Sequence, residues 1–197
     1  MTARAERRGA STPPPTRDAH HGRPKATLVN ALKIVALCVV AAVAYGIVHD
    51  QITARICIEY FTIGHPRIVE SESPTVLGLV WGIVATWWVG TLLGVPLAVV
   101  SLRGPRPKRT AGSLVRPLLA LLAVMASVAS VAGVIGYLAA SSGTFVLVEP
   151  LATSVPEDRH VAFLTAGWAH SASYLVGFVG GVVLILRVRR ERTTGKR

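Results

Sequence analysis

The chain has 197 residues, of which 51% are hydrophobic and 16% charged, with a formal net charge of +11. A water-soluble domain of this size spreads polar residues over the outward face of each element, whereas here apolar residues are gathered into four blocks, which excludes that class. The positive excess does not point to nucleic acid: it flanks the blocks, where anionic lipid headgroups are the expected partner.

Residues 1–27 carry Thr12-Pro13-Pro14-Pro15 and scattered arginines, with too little apolar content for a core, and read as a disordered basic cytoplasmic tail in which His20 and His21 are solvated. The first apolar block, 28–48, reaches the ~20 residues that cross a ~30 Å hydrocarbon layer. Ala42-Val43-Ala44 has the small-residue character of a signal cleavage site, but the preceding basic region is long and the apolar stretch exceeds a signal core, so the block reads as a retained span.

The next segment, 49–74, runs His49-Asp50-Gln51-Ile52-Thr53-Ala54-Arg55-Ile56-Cys57-Ile58-Glu59-Tyr60-Phe61-Thr62-Ile63-Gly64-His65-Pro66. Its alternation from Ile52 to Tyr60 predicts a strand, with Phe145 to Val148 as a short partner in the other loop of this side. A helical continuation is the competing reading, because Ile52, Ile56, Tyr60 and Ile63 also form a helical stripe. Cys38 inside the first block and Cys57 beyond it are too far apart for a disulfide, and no Cys-x-x-Cys is present.

The second block, 75–102, repeats small residues every fourth position at Gly78, Gly82, Thr86, Gly90 and Gly94, which predicts a groove for a neighbouring helix. Pro96 is expected to bend it. Trp81 suits a membrane interface, while Trp87 and Trp88 fall near mid-membrane, filling the bundle or facing lipid. The third block, 114–140, and the fourth, 161–186, complete the set, the fourth repeating the small-residue device at Ala169, Ser173, Gly177 and Gly181.

With no water in the hydrocarbon layer, each block must be helical. The fold expected is therefore an all-α four-helix transmembrane bundle over 28–187. Segments 1–27, 103–113 and 188–197 are arginine-rich, whereas 49–74 and 141–160 hold most of the acidic residues. The positive-inside rule places both termini in the cytoplasm and the two acidic loops outside.

The segment from His49 to Phe61, with Ser73-Pro74-Thr75, Trp81-Gly82, Ala85-Thr86-Trp87-Trp88 and Trp168-Ala169-His170-Ser171-Ala172-Ser173-Tyr174, resembles a group of uncharacterised bacterial multi-pass membrane proteins. That resemblance covers most of the chain after the tail. It implies a four-span protein of the bacterial cell membrane and brings no activity or cofactor with it.

The residues expected to matter are an outer polar cluster of His49, Asp50, Arg55 and Glu59, with His170 as its buried member and His65 at its periphery. Asp50, Arg55 and Glu59 are expected to pair with one another. An ionisable side chain inside a span is a functional candidate. No metal signature of fixed spacing is present, so no cofactor is predicted outright. A metal ion, or a haem between His49 and His170, is the alternative chemistry. The leading functional reading is a non-enzymatic structural or partner-binding membrane component, alone or as a homo-oligomer. A small transporter or proton pathway is the second reading, and a metal- or haem-binding protein the third.

Overall fold

The computed structural model describes residues 18–104 and 108–194. They form seven α-helices: α1 (Asp18–Ile56), α2 (Glu59–Thr62), α3 (Pro74–Val84), α4 (Trp87–Leu102), α5 (Ala111–Ser141), α6 (Leu151–Ser154) and α7 (His160–Thr194), with a 3-10 turn at Glu157–Arg159 before α7. Four helical stretches are long and apolar enough to cross a membrane: Lys25–Ile56, Pro74–Leu102, Ala111–Ser141 and Glu157–Thr193. The described residues thus form an all-helical bundle with four candidate membrane spans. One end of the bundle carries the acidic loops around 57–73 and 142–159; the other carries Arg103, Lys108 and Arg109 with the start of α1 and the end of α7.

The bundle is built from two helical hairpins. In the first, α1 lies in the groove of α3 and α4; in the second, α5 packs along α7; the hairpins meet through α4 against α7 and α1 against α5. The glycine ladder makes the first hairpin tight. A Cβ on Gly82 would lie 2.5 Å from Ile47 Cα, one on Gly90 2.7 Å from Val39 Cα, and one on Gly78 2.9 Å from the Asp50 carbonyl. Gly94 meets Cys38 and Val35 in the same way. Lipid competes for apolar side chains as well as protein does, so close backbone approach is what holds such helices together. On α7, Gly177 receives the Met125 side chain and Gly181 receives Leu93, joining α7 to both neighbours.

Chain reversals follow local chemistry. Pro74 occupies the first turn of α3, where its missing N–H costs nothing. Gly143 follows α5 with φ +72, a conformation that side chains resist.

Several expectations change. The strand over 52–60 is not formed, nor is its partner at Phe145 to Val148; no strand occurs among the described residues. Helix α1 continues to Ile56, and the backbone breaks for two residues before the short turn of α2. The buried stripe at the end of α1 is Asp50, Thr53 and Ala54, continued by Cys57 just beyond it, while Ile52 and Ile56 are exposed. The isoleucines, with Arg55, lie on the exposed side and the small and polar residues Asp50, Thr53 and Ala54 face the bundle, as expected of a helix whose outer face meets lipid. A lone strand would also have left its N–H and C=O groups unpaired.

The second span is interrupted at Ala85–Thr86, not near Pro96, which lies inside α4. There the Thr86 N–H bonds to Ile83 instead of Gly82, whose carbonyl accepts from the Thr86 hydroxyl. The tail expected to be disordered is helical from Asp18 onward; residues 1–17 lie outside the described residues. Trp87 and Trp88 are about half exposed, on the outside of the bundle.

Candidate functional site

His49 and Asp50 do not end the first span. They lie within α1, six or seven residues before its end, which at ~1.5 Å per residue places them about 10 Å down the helix. His170 lies ten residues into α7, at a similar depth. Both Asp50 and His170 are buried, and His170 Nε2 stands 3.0 Å from Asp50 Oδ1. One turn deeper, the Tyr45 hydroxyl and Ser173 Oγ are 2.9 Å apart. The helices run antiparallel, so steps of five residues on α1 and three on α7 bring both pairs into register.

His49 completes the group. Its ring stacks on Tyr45 and meets His170 edge to face, with centroids 4.5 Å apart. His49 Nε2 is buried and has no hydrogen-bond partner in the protein. One ligand atom from each of His49, Asp50 and His170 falls within 4.8 Å of the others. The three side chains border a small cavity of about 50 Å³, whose further walls include Tyr45, Thr86, Met125, Ser173 and Tyr174.

The hydrogen bonds of His170 constrain its charge. Nδ1 lies 3.0 Å from the Ala166 carbonyl and Nε2 3.0 Å from the Asp50 carboxyl. Both neighbours are oxygen acceptors, yet a neutral imidazole has only one N–H. To satisfy both contacts, either the His170–Asp50 pair holds a proton beyond that of a neutral imidazole beside a carboxylate, or Nε2 gives its lone pair to another cation.

Above the group, towards the acidic end, sits the turn of α2. The Tyr60 and Phe61 rings lie 4.5 and 5.7 Å from that of His170. His65 bonds through Nδ1 to the Tyr60 carbonyl and packs on Tyr60 and Trp81, so it supports this aromatic layer from outside. Burial, then Tyr174 and Asp50, push the Tyr60 phenol well above its ordinary range, so it stays protonated.

The rest of the expected polar network is redistributed. Glu59 bonds to Arg159 Nε at 3.1 Å and accepts from the Cys57 thiol at 3.3 Å. Arg55 instead reaches the carbonyl and side chain of Gln51 and the hydroxyl of Thr75. The expected Asp50–Arg55–Glu59 pairing is therefore not made, because residues 50, 55 and 59 no longer share one strand face or one helix face. His49, Asp50 and His170 converge; Arg55 and Glu59 anchor the acidic-end loops; His65 is peripheral. Tyr45 and Arg159 went unread in the sequence: a tyrosine in an apolar block and a charge in a distant loop carry no local signal.

A haem between His49 and His170 would need a slot as wide as a porphyrin, but the two rings touch and the cavity beside them is far smaller. The donor set suits a bare ion. Comparison of the chain with protein-family models, with curated proteins and with solved structures gives no match.

Proposed function

We propose that this protein is a non-enzymatic component of the bacterial cell membrane, with both termini cytoplasmic, whose outer-side centre of His49, Asp50 and His170 binds a cation. The orientation is supported by the arginine-rich segments at one end of the bundle and the acidic loops at the other. Anionic headgroups meet those arginines on the cytoplasmic side. The membrane assignment is also supported by the resemblance to bacterial multi-pass proteins.

The observation that carries the reading is the two acceptors facing the two nitrogens of His170, which call for a positive charge at the pair. Burial of an ionisable pair among membrane-spanning helices is itself a mark of function. Binding is favoured over passage: below the cavity, towards the basic end, the bundle is filled by Ile34, Cys38, Leu97, Leu118 and Leu184, which offers a cation no polar route.

The test is nitrogen NMR of the full chain in nanodiscs with 15N-labelled histidine. The expected spectrum shows His170 with both nitrogens protonated, with a cation-shifted Nε2, or neutral beside a protonated Asp50 carboxyl seen by infrared and lost in Asp50→Asn. A neutral His170 with an unshifted Nε2 beside an ionised Asp50 would refute the reading.

A further inference from the structure

The cation reading leaves open which ion the centre takes, and the inference here rests on that reading. We infer that the centre is a binding site for a divalent first-row transition ion, with His49 Nε2, His170 Nε2 and an Asp50 carboxyl oxygen as its three protein ligands.

Three features of the geometry point this way. First, a proton on the His170–Asp50 pair accounts for that pair alone and leaves His49 Nε2 buried without a partner. A metal ion uses all three groups at once, turning an unmet acceptor into a ligand. Second, the His170 Nδ1–H is directed at the Ala166 carbonyl, which fixes the tautomer and leaves the Nε2 lone pair facing the other two ligands; backbone carbonyls orient metal-bound imidazoles in this way. Third, the cavity of about 50 Å³ has room for an ion with one water-sized ligand beside it, given that a water needs roughly 10–15 Å³ on such a measure.

The chemistry of the donors narrows the class. Two imidazoles with one carboxylate suit zinc, copper, iron or nickel, and disfavour calcium and magnesium, which take oxygen ligands. At bond lengths of about 2.1 Å, tetrahedral ligand atoms lie about 3.4 Å apart. Asp50 and His170 already stand 3.0 Å apart, so closure falls mainly to His49. Its ring stacks on Tyr45 and meets His170 edge to face, with no side-chain hydrogen bond to break. The remaining position faces the cavity walls, where Tyr45, Ser173 and Thr86 supply hydroxyls.

The experiment loads Zn²⁺, and Co²⁺ as its spectroscopic stand-in, onto the full chain in nanodiscs after chelator treatment. The expected result is one ion per chain and a cobalt spectrum of low coordination number. His49→Ala should weaken Zn²⁺ binding by more than about 100-fold, beyond the range of second-shell losses, while its elution volume and helical circular dichroism stay unchanged. His160→Ala, outside the centre, should bind like the parent. Sub-stoichiometric zinc, or unchanged affinity in His49→Ala, overturns the metal assignment. If zinc is not held and the NMR above still shows the extra proton on the His170–Asp50 pair, the metal assignment falls and the cation reading stands. If zinc is not held and His170 is neutral with an unshifted Nε2 beside an ionised Asp50, both readings fall.

Discussion

His170 Nε2 and Asp50 Oδ1 meet at 3.0 Å across 120 residues of chain, each side chain less than a tenth exposed. This contact joins the first span to the last.

Removing one partner strands the other in a buried site. Asp50→Ala should destabilise the bundle by about 3 kcal/mol, the lower end of the cost of breaking a buried pair. The double variant Asp50→Ala/His170→Ala should cost less than the sum of the two single changes. Reversible unfolding in mixed micelles measures both, and strict additivity would show that the two side chains do not interact.

The crossing of α1 and α3 depends on Gly82. Its Cβ would sit 2.5 Å from Ile47 Cα and from Ile47 N, and backbone cannot swing aside as a side chain can. Gly82→Ala should therefore cost at least about 3 kcal/mol, at the upper end of overpacking penalties. Gly112→Ala, where the nearest contact is Thr110 Oγ1 at 4.0 Å, should be neutral or slightly stabilising. Equal melting temperatures for the two variants would contradict the packing described.

Acid should loosen the α2 turn. Burial alone raises the Glu59 carboxyl, but bonds from its own backbone N–H, the Cys57 thiol and Arg159 outweigh burial and hold it below its ordinary 4.5. A carboxyl lowered on folding adds stability above its unfolded value and loses it as pH falls through the lower folded value. The difference between parent and Glu59→Gln should be about 1 kcal/mol near neutrality, as for a partly exposed pair, and should vanish in strong acid. A difference that grows on acidification would reverse the sign argued here.

Cys57 should be a slow thiol. Burial first, and then the hydrogen bond to Glu59, push it up to about 11, so almost none is thiolate at neutral pH. In a Cys38→Ala background, alkylation by iodoacetamide should be far slower than for a free thiol at pH 7, and should accelerate only at strongly alkaline pH. Fast labelling at pH 7 would place the thiol outside the cluster of Val155, Phe163 and Ala166.

The four spans were legible because apolar length and helical necessity are properties of contiguous sequence. The glycine ladder was legible too, since Gly78, Gly82, Thr86, Gly90 and Gly94 recur every fourth position, about one helical turn. The isoleucines of 52–56 misled: in a lipid-facing helix they mark the outside, and the same residues alternate in a way that imitates a strand. At the site, His170 announced itself as an ionisable residue within a span, whereas His49 and Asp50 were expected at the end of theirs, on the same outer side, and lie deeper. What sequence does not encode locally is which distant side chain answers which. Glu59 finds Arg159 one hundred residues away, and Arg55 finds Thr75, because the rotation of α1 and the turn after it decide the directions in which they point.

The centre draws His49 and Asp50 from the first hairpin and His170 from the second, so neither half of the molecule possesses it. Its groups come together only where α7 settles beside α1. An ion captured there would clasp the two halves, and its retention would report that assembly had finished.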